Sequence, residues 1–305
     1  MQAESGNAIK IRFALPSVEL QPYVTTYYHT EVVASPSEPV LEDHFHPEWA
    51  NLRFMEPDWA YSSIGDNPLE PSPAFSATGP TTMATRFRIS SGRSWGIGLL
   101  PLGWMALVGA PASNHADRMV DGMTDHVFAA FRPLALALQN SEKGFAAQLS
   151  IIERQMEKLV FEEPPAADKV RAVNAVLVDP ELTSVADLAA QVGISIRSLE
   201  RLCKRAFGFT PKLLMRRQRF LRSLAQFMLD PSLNWLNTLD YQYHDQAHFV
   251  RDFRRFMGMS PSAYAKLDKP FLVAAAQARM AIAGQAVQGL HVPCLLYTSP
   301  SPRDS

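Results

Sequence analysis

The stretch Tyr243–Pro261, YHDQAHFVRDFRRFMGMSP, decides how this chain folds. Asp245 precedes a run in which Phe249 and Phe253 lie four residues apart, and Gly258 and Ser260-Pro261 follow. Asp is a good N-cap because its carboxylate accepts hydrogen bonds from the free amides of a first helical turn. Gly ends helices in the left-handed region, and Ser-Pro suits the opening of the next. The stretch predicts one helix and the start of another. Phe249 and Phe253 face inward, and Gln246, Ala247, Val250 and Arg251 face outward.

Fifty residues upstream the same features recur. Ser195 falls on Asp245, Leu199 on Phe249, Arg201 on Arg251 and Cys203 on Phe253. Lys204-Arg205 fall on Arg254-Arg255, Gly208 on Gly258, and Thr210-Pro211 on Ser260-Pro261. Agreement at one offset marks an internal repeat. In the upstream copy, SVADLAAQVG (184–193) starts at the capping residue Ser184 and ends at Gly193. IRSLERLCKRAF (196–207) follows after a short turn, a helix-turn-helix pattern. The two copies are joined by PKLLMRRQRFLRSLAQFMLD (211–230), capped by Thr210 and stopped at Asp230-Pro231. A helix of about 20 residues is roughly 30 Å long, close to the roughly 34 Å repeat of B-DNA.

Charge divides along the same line. Residues 1–165 hold 11 basic and 19 acidic residues, whereas 166–270 hold 16 basic and 10 acidic. Only the second part suits a polyanion. No run of eighteen apolar residues predicts a membrane span, and MQAESGNAIKIRF lacks a basic-then-apolar leader. The expected location is the cytoplasm. Cys203 and Cys294 make no disulfide framework. CLLYTSPSPRD (294–304) reads like a translated sequencing adaptor and is set aside from fold reasoning.

The first half has another texture. Between residues 10 and 110, turn residues separate the β-type runs IRFAL (11–15), YVTTYYHT (23–30), ANLRFM (50–55), TRFRI (85–89) and WGIGLLPLGW (95–104). These predict an antiparallel sandwich or barrel. Two helical runs follow, 125–140 and 144–160. In the second, Leu149, Ile152, Met156 and Leu159 form a stripe suited to the barrel or to a second subunit. FEEPPAAD (161–168) reads as a linker.

Residues 166–266 resemble the DNA-binding domain of the AraC/XylS family of bacterial transcription regulators. SVADLAAQVGISIRSLERLCKRAFGFTP (184–211) and DQAHFVRDFRRFMGMSPSAY (245–264) carry the match. HPEWANLRF (46–54) and WGIGLLPLGW are similar to a sensor-like domain found on one subgroup, which implies a cupin-like barrel. The expected fold class is α+β. It comprises a mainly-β cupin-like barrel with flanking helices (10–160), the linker, an all-α double helix-turn-helix domain with a long connecting helix (169–268), and a disordered or artefactual tail (269–305). The chain departs from the family pattern at Cys203, where Phe is usual, and at Gln242, where a turn glycine is usual. LNWLNTLDYQ (233–242) is also one residue longer than the family pattern.

The resemblance implies a transcription regulator, activator or repressor, whose N-terminal domain senses a small-molecule effector or mediates dimerisation, and not an enzyme. Its partner would be double-stranded DNA, with RNA polymerase, a small-molecule effector and a second copy of the chain as further candidates. On the first reading helix the expected DNA contacts are Arg197, Ser198, Glu200, Arg201 and Lys204. On the second they are Gln246, His248, Arg251 and Arg254, with His248 alternatively holding the turn. Arg216 and Arg217 on the connecting helix are expected at phosphates. Arg can grip a guanine edge with two hydrogen bonds, and Glu can accept from cytosine N4.

The rival is a metal-dependent cupin-type enzyme domain fused to the DNA-binding module. His44, His46 and Glu48 suggest it, but Met105, Ala106 and Leu107 follow Trp104 where a completing histidine would be needed. His244 and His248 stand at i and i+4 without an HExxH glutamate. No metal, cofactor or catalytic residue is therefore expected. Tyr27, Tyr28, Trp49, Phe54, Trp59, Trp95 and Trp104 suit either a core or the lining of an apolar effector pocket.

Overall fold

The computed structural model describes residues 7–142, 144–160, 162–229, 239–243 and 245–291. Its first part is built of strands β1 (Ala8–Ala14), β2 (Val24–Val33), β3 (Leu41–Phe45), β4 (Asn51–Met55), β5 (Ala60–Ile64), β6 (Glu70–Pro71), β7 (Phe75–Thr78), β8 (Thr85–Ile89), β9 (Gly92–Leu99) and β10 (Met119–Asp121). They make two antiparallel sheets, one ordered β1-β2-β9-β4-β7-β10 and the other β3-β8-β5-β6. The β-branched and aromatic runs of the sequence supply β1, β2, β4, β8 and β9, as side-chain packing on a pleated surface favours.

Among the described residues the sheets do not close into a barrel. β1 and β3 are edge strands of different sheets, and a helix from the far end of the chain packs against both. This is α10 (Pro270–Ala283). Phe271 lies in one apolar cluster with Val32, Leu41, Trp59, Phe87 and Ile89, which come from both sheets. Leu272 N donates to Asp43 Oδ2 at 2.9 Å. Residues 269–305, expected as tail, therefore begin with an ordered helix that covers two sheet edges. Ala-rich composition, Pro270 in the first turn and Gly284 at φ 66° after the last turn account for it.

The remaining helices are α1 (Pro101–Gly103, running into a π-helical turn, Trp104–Val108), α2 (Arg132–Asn140), α3 (Phe145–Leu159), α4 (Ala167–Val178), α5 (Val185–Val192), α6 (Ile196–Phe207), α7 (Pro211–Leu229), α8 (Gln246–Met257) and α9 (Pro261–Lys266). On α3, Ile152 and Met156 are fully buried, with Leu149 and Leu159 beside them. The stripe packs on the chain's own core.

That core is continuous from sheet to helices. Trp49, Leu99 and Trp104 share one cluster with Val170, Leu188, Leu199 and Phe207. Ala84 and Leu290 share another with Phe220, Leu224, Phe249, Phe253 and Tyr264. Phe271→Ala is expected to cost about 3 kcal/mol, as for other large-to-small core substitutions. Urea denaturation would check this, and a loss below about 0.5 kcal/mol would mean that α10 is not part of the core.

Candidate nucleic-acid interface

The first helix-turn-helix is α5 and α6. Ser184 Oγ accepts from Asp187 N at 3.0 Å, and Gly193 turns the chain at φ 69°. Ser195 Oγ accepts from Ser198 N at 3.2 Å and donates to Ser198 Oγ at 3.0 Å. Leu199, Cys203, Ala206 and Phe207 are buried. Burial pushes the Cys203 thiol up to about 12, so it packs as a neutral small hydrophobe. Arg197, Glu200, Arg201 and Lys204 stand exposed on one side of α6, and Ser198 is half-buried.

The second reading helix repeats this chemistry fifty residues on. Asp245 Oδ1 accepts from His248 N at 2.6 Å. Phe249, Phe253 and Phe256 are buried. Gly258 ends α8 at φ 71°, as Gly208 ends α6 at φ 84°. Ser260 Oγ then accepts from Ala263 N at 3.1 Å, as Thr210 Oγ1 accepts from Leu213 N at 3.4 Å. Gln246, Arg251 and Arg254 are exposed. His248 holds the turn: its ring meets Tyr243 edge-on at 5.3 Å, and its Nε2 lies 3.2 Å from Arg219 Nη2. The stop at Asp230-Pro231, most of the long turn 233–242, and His244 with its pairing to His248 lie outside the described residues.

The arginines of α7 divide. Arg216 and Arg219 both reach the fully buried Asp252, which also accepts from the Tyr243 hydroxyl at 3.2 Å. Arg222 pairs with buried Asp240. Arg216 keeps about a third of its side chain exposed. Arg217 corrects the expectation of a phosphate contact, because it is 0% exposed and points into the β-sheet part. Its Cζ lies 3.7 Å from the centre of a Trp49 ring, and its Nη1 donates to Thr81 O at 2.9 Å. Burial lowers its pKa to about 9, which leaves it charged at neutral pH. The spacing Leu213, Arg217, Phe220, Leu224 places Arg217 on the inward face, a signal that charge alone hides.

Gln242 also has a task. Where a turn glycine is usual, its backbone is not in the left-handed region. Its Nε2 donates to Leu182 O at 2.9 Å and to Pro180 O, while the Tyr241 hydroxyl donates to Glu181 Oε1 at 2.9 Å. The turn of the second unit is thereby tied to the loop that enters α5. Sequence reasoning missed this because the contact joins residues sixty positions apart.

Of the histidine pair of the first half, His46 is engaged elsewhere. His46 Nε2 and the Tyr264 hydroxyl share a hydrogen bond of 2.8 Å, and Glu48 accepts from Arg53. Among the described residues, no three His, Cys, Asp or Glu side chains converge as a metal set. None of the described helices is long and apolar enough to cross a membrane.

With the first helix-turn-helix, α5 and α6, and the capped helix α8 in place, the comparisons bear on the same segment. A family profile described as a helix-turn-helix domain matches residues 188–267. These residues form an AraC-type helix-turn-helix domain. No curated protein sequence matches the chain. Among solved structures, the chain is similar to a single-substitution variant of apo ToxT from Vibrio cholerae, with TM-score 0.41, 8% identity, and 87% of this chain and 98% of that chain covered. The AraC-like transcriptional activator CuxR gives TM-score 0.28 and 14% identity over 72% of this chain and 87% of its own. Unsaturated fatty acid-bound ToxT from Vibrio cholerae gives TM-score 0.39 and 10% identity over 87% and 96%. These likenesses are too distant to bear on ligand or target.

Asp252→Ala should cost about 1.5 to 3 kcal/mol, because it removes the carboxylate shared by the partly buried Arg216 and Arg219 and by the Tyr243 hydroxyl, whereas Asp245→Ala should cost about 1 kcal/mol as a lost cap. Chemical denaturation of both variants checks the ranking. A pH dependence follows from the histidines. Burial pulls His46 down to about 3, and His29 and His291 to about 4. Below the ordinary histidine pKa of about 6.5, the unfolded chain takes up protons that the folded chain refuses, so stability falls with pH. Asp43, raised to about 6 by burial, acts in the opposite sense below that pH and only partly offsets them. Urea denaturation at pH 7, 6 and 5 should therefore show declining stability, with a shallower slope in His46→Gln.

Proposed function

We propose that the chain is a sequence-specific DNA-binding transcription regulator in which α6 and α8 enter major grooves and the β-sheet part binds a small-molecule effector. One observation carries this: two helices with matched caps and buried anchors each present exposed Arg and amide or carboxylate side chains, and α7 lies between them in the chain. On α6 the base-reading set is drawn from Arg197, Ser198, Glu200, Arg201 and Lys204. On α8 it is Gln246 and Arg251, with Arg254 at the backbone. Arg216 serves phosphate only by sharing its charge with Asp252. The remaining partners of such a regulator, RNA polymerase and a second copy, would meet surfaces outside these two faces.

Selection of bound duplexes from a random library, followed by titration against salt, tests the proposal. Gln246→Ala and Arg251→Ala should each relax discrimination by about 1 to 3 kcal/mol at single positions. Arg254→Ala should lower the slope of log affinity against log salt by about 0.9, whereas Arg217→Met should leave it unchanged. Unchanged discrimination in the Gln246→Ala, Arg251→Ala double variant would remove α8 from the reading surface.

A further inference from the structure

Between the two sheets and α10 lies a cavity of about 90 Å³. Its walls are mainly apolar, with Phe13, Phe45 and Phe271 among them, but two guanidinium groups, Arg53 and Arg279, also line it. Arg53 is paired with Glu48. Arg279 is 5% exposed and, among the described residues, has no carboxylate partner. Its Nη1 donates to Thr26 Oγ1 at 2.6 Å, its Nη2 lies 3.4 Å from His291 Nδ1, and its Nε has no hydrogen-bond partner. Two buried guanidinium groups thus face one carboxylate. The neighbouring histidines leave this balance unchanged, because burial holds both His46 and His291 neutral at pH 7. A buried cation without a counter-charge is costly unless something completes the pair.

We infer that this cavity binds a short-chain monocarboxylate whose carboxylate pairs with Arg279 while its alkyl end lies against Phe13, Phe45 and Phe271. Arg suits this role because its fork matches a carboxylate with two parallel hydrogen bonds. The volume sets the size. A dry cavity of about 150 Å³ accommodates benzene, so this one takes a body of a few carbons and not a long acyl chain. The proposal rests on the effector role given above to the β-sheet part and names its ligand class. The helix that supplies Arg279 follows the DNA-binding unit in the chain, so the ligand would bridge the first and last parts of the sequence.

The test is thermal unfolding of the full chain at pH 7 with millimolar acetate, propionate or butyrate, against butyramide, sulfate and palmitate. The expected result is a rise in Tm on the order of 3 °C with at least one short monocarboxylate at saturation, and none with butyramide, sulfate or palmitate. Arg279→Gln should abolish the rise. Should that variant fail to fold, Ala276→Leu, which fills the cavity and keeps the charges, should abolish it instead. No shift with any short carboxylate, an equal shift with sulfate, or a shift that survives in both variants overturns the proposal. DNA binding is measured separately on the same protein. Sequence-specific binding with no carboxylate response sinks the site alone, and loss of specific DNA binding sinks the regulator reading.

Discussion

Arg217 constrains the rest of the molecule. It sits in α7, the helix between α6 and α8 in the chain, yet its guanidinium is buried against Trp49 and bonded to Thr81 O. A charged group is held there by the ring face and by carbonyl dipoles in place of a carboxylate. Breaking that contact would expose Trp49 and leave the carbonyls unpaired. The connecting helix therefore cannot turn about its axis without disturbing the first sheet, and both reading heads inherit its orientation.

Other buried charges reinforce the same geometry from the DNA-binding side. Asp252 belongs to the second reading helix but collects Arg216 and Arg219 from α7. Paired buried charges of this kind contribute little net stability relative to apolar packing, but they penalise misplacement strongly. Their effect is to fix the angle at which α8 leaves α7. The backbone bond from Ala84 N to Phe256 O, at 2.7 Å, then fastens the end of α8 to the β-sheet part.

Much of this was legible in the sequence, and the legible parts are local. Capping residues, terminal glycines and the fifty-residue repeat depend on neighbours within a turn or two, and α5, α6 and α8 begin and end where those signals place them. The β-branched runs likewise gave five strands. Short strands such as β3, β5 and β7 were missed, because LEDHF, AYSSI and FSAT carry little periodicity and gain their place by pairing across the sheet. α10 was missed for another reason: its alanines are apolar all round, so no amphipathic stripe marks it. Within the candidate interface, exposed Arg251 and buried Arg217 look alike by composition. Only the phase of the inward face on α7 distinguishes the second, and Gln242 could be understood only once its partners Pro180 and Leu182 were in place.

The segment His46–Glu48 is one place where the two halves of the molecule meet. The Glu48 side chain faces Arg53 at the cavity, while its backbone oxygen lies 3.4 Å from Arg217 Nη1. His46 lines the same cavity and reaches Tyr264 on α9. A ligand can shift an equilibrium only through contacts that differ between two states. A ligand in the cavity would touch residues that also contact the connecting helix and α9. Coupling between the β-sheet interior and the reading heads thus needs no long chain of intermediates, since three consecutive residues carry both sets of contacts.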